Sequence, residues 1–178
     1  MKELARELRG SYWASAMLRV LLDTSFLLPS LGVDVGEEVY ECLELISTQR
    51  DKVQTCYSPY SLLEAVLVLL REVRRGRLRL GDAVEMIKEG AANVIYGLEA
   101  SEIAPEAFSL AVELYGMGHR DIFDTLLYST AATSGIIFLT VLQILLSKTS
   151  ADVSQAFEGF FIEEKVLRGV EPYLAFFS

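Results

Sequence analysis

Apolar residues along the chain follow two patterns, short runs of branched residues and longer stretches with helical spacing. Short apolar runs, typical of buried strands, occur at residues 19–23, 53–57, 93–96 and 136–140. Stretches with helical spacing lie at residues 37–50, 59–76, 81–89, 105–117 and 121–134. Strands therefore alternate with helices, and this order predicts a parallel sheet with helices on both faces.

The predicted fold class is α/β, a three-layer α/β/α sandwich with a central, mainly parallel sheet of four to five short strands. The fifth strand is assigned to FEGFFI, residues 157–162, and a last helix to residues 163–177. Residues 1–16 are interpreted as a helical extension, and Met17 is a second candidate start. Residues 17–178 contain no repeat or linker, which predicts a single domain.

Composition narrows the class of protein. The chain has 178 residues, of which 52% are hydrophobic and 23% charged, as in a folded domain with a sizeable core. Residues 125–147 carry no formal charge and are long enough to cross a bilayer of roughly 30 Å. Threonine, serine and glycine interrupt this run, so a buried helix, a Ser-Gly turn and a buried strand explain it better than a membrane span.

Cysteine and histidine usage limits the chemistry. Cys42 and Cys56 belong to no CxxC or Cys/His cluster, which favours buried apolar packing in a reducing, cytoplasmic compartment. His119 is the single histidine of the sequence, and this excludes a zinc site that needs two or more histidines.

The net charge of −9 makes the chain a poor non-specific binder of nucleic acid. Any such function therefore needs a local basic patch or a bound cation. The segment 71–79, REVRRGRLR, carries five of the 16 basic residues, and Arg71, Arg74 and Arg75 are candidate contacts for RNA phosphates. The alternative is a solvated helix end, where arginine also suits the helix dipole.

Acidic residues lie where an open parallel sheet binds its ligands, outside the carboxyl ends of the strands. Asp23 ends the first strand, Glu64 lies early in the helix after the second, and Asp121 and Asp124 open the helix before the fourth. Structural interpretations compete with the functional one. Asp23 could simply begin a loop, Glu64 fits a capping box, Asp121 fits a helix N-cap, and Asp124 suits the helix dipole.

Carboxylates that converge at one sheet edge repel one another. A like-charged pair about 4 Å apart costs on the order of 4 kcal/mol at an effective dielectric constant near 20. A divalent cation offsets this repulsion, and oxygen ligands without histidine or cysteine favour Mg²⁺ or Mn²⁺. Such a site suits the metal-assisted attack of water on a phosphodiester.

Three segments, in order, carry a resemblance to a known family. RVLLDTSFLLP, SPYSLLEAVLVLL and DIFDTLLYSTAATSGIIFLT resemble the three acidic elements of PIN-domain ribonucleases, including VapC-type toxins, over nearly the whole chain from Met17. The resemblance implies a PIN-like fold and a Mg²⁺- or Mn²⁺-dependent endoribonuclease. It matches Asp23, Glu64 and Asp124 to metal-binding acids and Asp121 to an extra acid. Thr24 and Ser25 match hydroxyl residues that shape the first acidic loop.

The resemblance also implies partners. Many members of the family are homodimers, and some are toxins held by an antitoxin. Apolar residues near the carboxyl terminus, Tyr173, Phe176 and Phe177, fit either a dimer interface or a closing strip of the core.

One position departs from the family pattern. After the fourth strand the family usually reads Thr-x-Asp, whereas this chain reads Thr140-Val141-Leu142 and has no acid until Asp152. Two interpretations follow: a ribonuclease that works with the remaining acids, or a catalytically impaired PIN-like protein that binds RNA or assembles with partners. A haloacid-dehalogenase-like phosphatase is a third interpretation, but Ser25 stands where that chemistry needs a second aspartate.

Overall fold

The computed structural model of the protein describes residues 17–141. Four strands and five helices are found in this range, together with two short 3₁₀ turns, Thr24–Phe26 and Leu28–Leu31. The strands are β1 Leu18–Leu22, β2 Val53–Tyr57, β3 Glu99–Ala100 and β4 Ile137–Leu139. The helices are α1 Glu37–Thr48, α2 Pro59–Arg74, α3 Leu80–Gly97, α4 Pro105–Gly116 and α5 Ile122–Ser134.

The sheet has the strand order β3-β2-β1-β4, and all of its pairings are parallel. Each parallel neighbour is reached through a crossover that contains a helix, as parallel pairing requires. The predicted α/β class with a parallel sheet is therefore confirmed. The carboxyl ends of β1, β2 and β4 lie side by side, and the loops that follow these strands meet at one edge of the sheet.

Alternate side chains of the strands point to opposite faces of the sheet. Val20 and Leu22 pack on one face with residues of α1 and α3, whereas Leu21 and Cys56 pack on the other face with Ala131 of α5. Helices thus cover both faces and produce three layers. Both cysteines are buried and free, as predicted, and burial raises the pKa of the Cys42 thiol to about 11.

Several predictions fall on parts of the chain outside the described residues. They are the helical extension 1–16, the strand at 157–162, the helix at 163–177, the apolar residues Tyr173, Phe176 and Phe177, and the departure at Leu142. None of the helices within residues 17–141 is long and apolar enough to cross a membrane. The uncharged run of residues 125–147 is described as far as residue 141. In this part, α5 ends at Ser134, Gly135 follows with φ 64°, and β4 begins at Ile137.

The predicted strand at residues 93–96 is wrong, because these residues form the last turns of α3. Val94 is buried, while Asn93, Ile95 and Tyr96 are exposed, so the pattern is that of one helix face rather than a strand. The third strand is instead the short pair Glu99–Ala100, which aligns with the end of β2. The predicted helix at residues 81–89 is too short, because α3 continues to Gly97.

Gly90 lies inside α3 because the helix touches the chain at Leu31. A Cβ atom at Gly90 would lie 2.7 Å from the Leu31 Cα atom and 2.7 Å from the Ser30 carbonyl oxygen. Backbone atoms cannot move away as a flexible side chain can. Glycine at this position therefore costs about 1 kcal/mol of helix stability relative to alanine, but it avoids a clash with the backbone at Leu31.

We expect Gly90→Ala to lower the free energy of unfolding by roughly 1–3 kcal/mol, the usual cost of an overpacked contact. Gly81→Ala is the matched control, since it lies in the same helix and a Cβ atom there would meet nothing within 4 Å. Urea denaturation of both variants measures the difference. Equal denaturation midpoints for the two variants would contradict the close contact.

Candidate active site

Asp23 directly follows β1 and is fixed by its own loop. Its side chain accepts hydrogen bonds from the Thr24 amide at 2.6 Å and from the Ser25 hydroxyl at 3.0 Å. Its backbone amide donates to the Leu139 carbonyl of β4 at 3.0 Å, which extends the pairing of β1 with β4 by one residue. The carboxylate is therefore held, half-buried, at the edge of the sheet where β1 and β4 end.

Glu64 is not a helix cap, and this alternative from the sequence is wrong. Helix α2 is capped by Ser58, whose hydroxyl accepts from the Tyr60 amide, while the Ser61 hydroxyl accepts from the Ser58 amide. Glu64 lies one turn further along the helix. Its Oε2 atom accepts a hydrogen bond of 2.5 Å from the Thr24 hydroxyl.

Thr24 therefore connects the first two acidic elements. Its backbone amide donates to Asp23, its hydroxyl donates to Glu64, and the residue itself is buried. The sequence places Thr24 in the first acidic loop but gives no sign of its contact with Glu64. This contact joins residues that are 40 positions apart, and no local pattern reveals such a contact.

Asp121 is the N-cap of α5, as one interpretation of the sequence predicted. Its Oδ1 atom accepts from the Phe123 amide at 2.9 Å and from the Asp124 amide at 3.3 Å, while neither bond uses Oδ2. Asp124 lies in the first turn of the same helix, where the dipole favours a negative charge. Both residues are exposed.

The electrostatics show that the acids from the three elements lie near one another. The pKa of Asp124 is raised to about 6, first by loss of hydration and then by the charges of Asp121, Asp23 and Glu64, in that order. Burial also raises the pKa of Asp23 and of Glu64, and the charge of Asp121 adds to both shifts. The charges of neighbouring acids thus weaken the ionisation of Asp23, Glu64 and Asp124, as expected for a shared acidic site.

The chemistry of the donor atoms fits a hard divalent cation, because all four side chains offer carboxylate oxygens. They are not preassembled into a coordination shell. Within residues 17–141, no three histidine, cysteine or acidic side chains are grouped closely enough to hold a metal ion as they stand. Binding a cation would have to draw the acids closer together.

The three arginines that the sequence suggested as RNA contacts differ in their surroundings. Arg75 donates to Glu72 at 2.7 Å, so its charge is already paired. Arg71 and Arg74 lie in the last turn of α2 and are exposed.

Comparisons with known proteins give no family assignment. No family model matches the chain, and no curated protein matches it. Among solved structures, it is similar to the crystal structure of VapC20 of Mycobacterium tuberculosis, described as a toxin that cleaves the sarcin–ricin loop. The two share 16% identity over 66% of this chain and 85% of that chain, with a TM-score of 0.49. A likeness at this level shows neither a common family nor a common activity.

Proposed function

We propose that this protein is a Mg²⁺- or Mn²⁺-dependent endoribonuclease that hydrolyses RNA phosphodiester bonds at the edge of the sheet. Asp23, Glu64 and Asp124 are the proposed catalytic and metal-binding acids, and Asp121 lies beside them as a further ligand. The observation that carries the proposal is that acids from three separate elements meet: Thr24 bonds both Asp23 and Glu64, and the charges of Asp121, Asp23 and Glu64 raise the pKa of Asp124.

A purely structural role does not account for this arrangement. Asp121 caps α5 and Asp23 caps the 3₁₀ turn Thr24–Phe26, but neither cap requires Glu64 and Asp124 within reach of its charge. The repulsion raises the pKa of these partly buried carboxyl groups. Their ionised forms at neutral pH therefore lower the stability of the folded chain. A divalent cation offsets this repulsion. Carboxyl groups with a raised pKa that cluster at one site are typical of a functional centre.

Each residue has a distinct task in the proposed site. The bonds from Thr24 and Ser25 hold the Asp23 carboxylate, and the bond from the Thr24 hydroxyl orients Glu64 towards the same edge. Asp121 keeps its Oδ2 atom available while Oδ1 caps α5. When bound, the cation would supply an activated water and would stabilise negative charge at the phosphate.

RNA is the proposed substrate because the three acidic segments resemble PIN-domain ribonucleases in their order and spacing. The same resemblance extends the proposal to a cytoplasmic homodimer that acts as the toxin of a toxin–antitoxin pair. A cation at the acidic site also explains how a chain with a net charge of −9 can approach a polyanion.

The test is an RNA cleavage assay on the purified full chain with Mg²⁺ or Mn²⁺, beside the same reaction in EDTA. We expect fragments only with the divalent cation, because the acids alone repel both the phosphate and an attacking hydroxide. Intact RNA under all conditions, with both single-stranded and structured substrates, would refute the proposed activity.

A second candidate function is an RNA-binding or assembly protein that has lost catalysis. Leu142 favours it, because this residue stands where the resembling family usually has a fourth acid. Binding of Mn²⁺ and RNA without any cleavage would support this candidate over the ribonuclease. Cleavage by the full chain would exclude it.

A further inference from the structure

The end of α2 and the turn after it carry several arginines, and three of them are neutralised by neighbouring acids. Arg75 and Arg77 share Glu72, with N–O distances of 2.7 and 3.3 Å. Arg79 binds Asp82 through two hydrogen bonds of 2.8 Å each. These three guanidinium groups already have anionic partners and are poorly available for a phosphate.

Arg71 and Arg74 are the two arginines of this segment that form no ion pair with any residue between 17 and 141. Both are exposed. The basic segment suggested by the sequence therefore reduces to two available cations in the last turn of α2.

Arg71 lies on the same face of α2 as Glu64. Seven residues separate the two, which is nearly two full turns, or about 10.5 Å along the helix axis. Arg71 therefore lies beyond Glu64 along this face of the helix and forms no ion pair with it.

An RNA strand that reaches the acidic site needs cations beyond it. A metal ion at the carboxylates screens the phosphate that it touches, but the next phosphates along the strand still meet a protein of net charge −9. The guanidinium group matches the oxygens of a phosphate with two parallel hydrogen bonds and stays charged at every physiological pH.

We propose that Arg71 and Arg74 bind backbone phosphates of an RNA strand that runs along α2, away from the acidic site. This inference rests on the proposed ribonuclease function, because it uses the acids as the point where the strand is cut. The RNA strand then runs over the surface from the acidic site towards the end of α2. The three paired arginines have no role in phosphate binding.

The structural alternative is that both arginines only stabilise the end of α2 through the helix dipole. Such a role changes the stability of the fold and leaves RNA binding unchanged. The salt dependence of RNA binding separates the two, because each lost phosphate contact makes the dependence less steep.

The experiment measures binding of a fluorescently labelled single-stranded RNA to the full chain by anisotropy, between about 50 and 200 mM KCl. An Asp124→Asn background, with and without Mn²⁺, prevents the proposed cleavage during the measurement. We expect Arg71→Gln and Arg74→Gln each to reduce the slope of log K against log salt concentration by about 0.7. Arg71→Lys should retain most of the slope because it retains the charge.

Arg79→Gln is the matched control, because it removes the same charge from the same segment but from a residue held by Asp82. An equal reduction of the slope for Arg79→Gln would show that the RNA responds to the total charge of the segment and not to particular arginines, and it would overturn the assignment. An unchanged slope for Arg71→Gln and Arg74→Gln, or no RNA binding by the parent chain, would also overturn it. If Asp124→Asn instead leaves cleavage intact while Arg71→Gln reduces the slope, the proposed catalytic site fails and the phosphate contact stands.

Discussion

Replacing Asp23 by asparagine is expected to slow metal-dependent RNA cleavage about 100-fold or more, a loss comparable to removing one electrostatic stabiliser from a transition state. Asparagine has the shape of aspartate, and its carbonyl oxygen can still accept the bond from the Thr24 amide. What it lacks is the negative charge that a divalent cation requires. The variant therefore tests the charge and not the fold of the loop.

The comparison is made with Asp51→Asn, which removes the same charge from an exposed position in the turn before β2. Asp51 precedes a strand, so it lies at the edge of the sheet opposite to Asp23. We expect this variant to cleave at the wild-type rate. Initial rates at saturating Mn²⁺, with circular dichroism to verify folding, provide the measurement, and equal rates for both variants would exclude Asp23 from catalysis.

The candidate site could be predicted from the sequence to the extent that it depends on strand ends. The end of β1 places Asp23, and the helix before β4 places Asp124, because parallel strands share one carboxyl edge. The sequence left open whether Glu64 was a cap. The structure decides this, because Ser58 and Ser61 cap α2 and Glu64 instead accepts a hydrogen bond from Thr24, 40 positions away in the chain.

The fold was less predictable where tertiary contact overrides local preference. The predicted helix ends at residue 89, yet Gly90 allows α3 to approach Leu31 and the helix continues to Gly97. The apolar residues after it then appeared to form a strand, although Val94 alone faces the core. The third strand, with two residues, is too short for any periodic pattern to reveal.

The raised pKa values predict how the stability of the metal-free protein depends on pH. The pKa of Asp124 is about 6 in the folded chain, whereas its ordinary value, which applies to the unfolded chain, is 3.8. Between these values the folded state binds more protons than the unfolded state. The free energy of unfolding therefore falls as pH rises from about 4 to about 6, and it stays reduced at neutral pH.

Asp124→Asn is expected to raise the melting temperature of the metal-free protein at about pH 7.5 by a few degrees, since 1 kcal/mol corresponds to about 2–4 °C at this chain length. The dipole of α5 favours a charge at this position and reduces the gain. It does not reverse the gain, because the net effect of the surroundings is to raise the pKa. At about pH 3.5 the carboxyl group is mostly protonated in both the folded and the unfolded state, and the difference should nearly disappear.

Added Mn²⁺ should reverse the order of the two proteins at neutral pH. A ligand that binds only the folded state stabilises it in proportion to its affinity, and the wild type retains a charge that the variant lacks. Thermal denaturation at both pH values, with EDTA or with Mn²⁺, gives the complete comparison, and Asp51→Asn serves again as the charge control. A melting difference that is independent of both pH and Mn²⁺ would mean that Asp124 acts through local helix structure, and the shared acidic site would lose its strongest support.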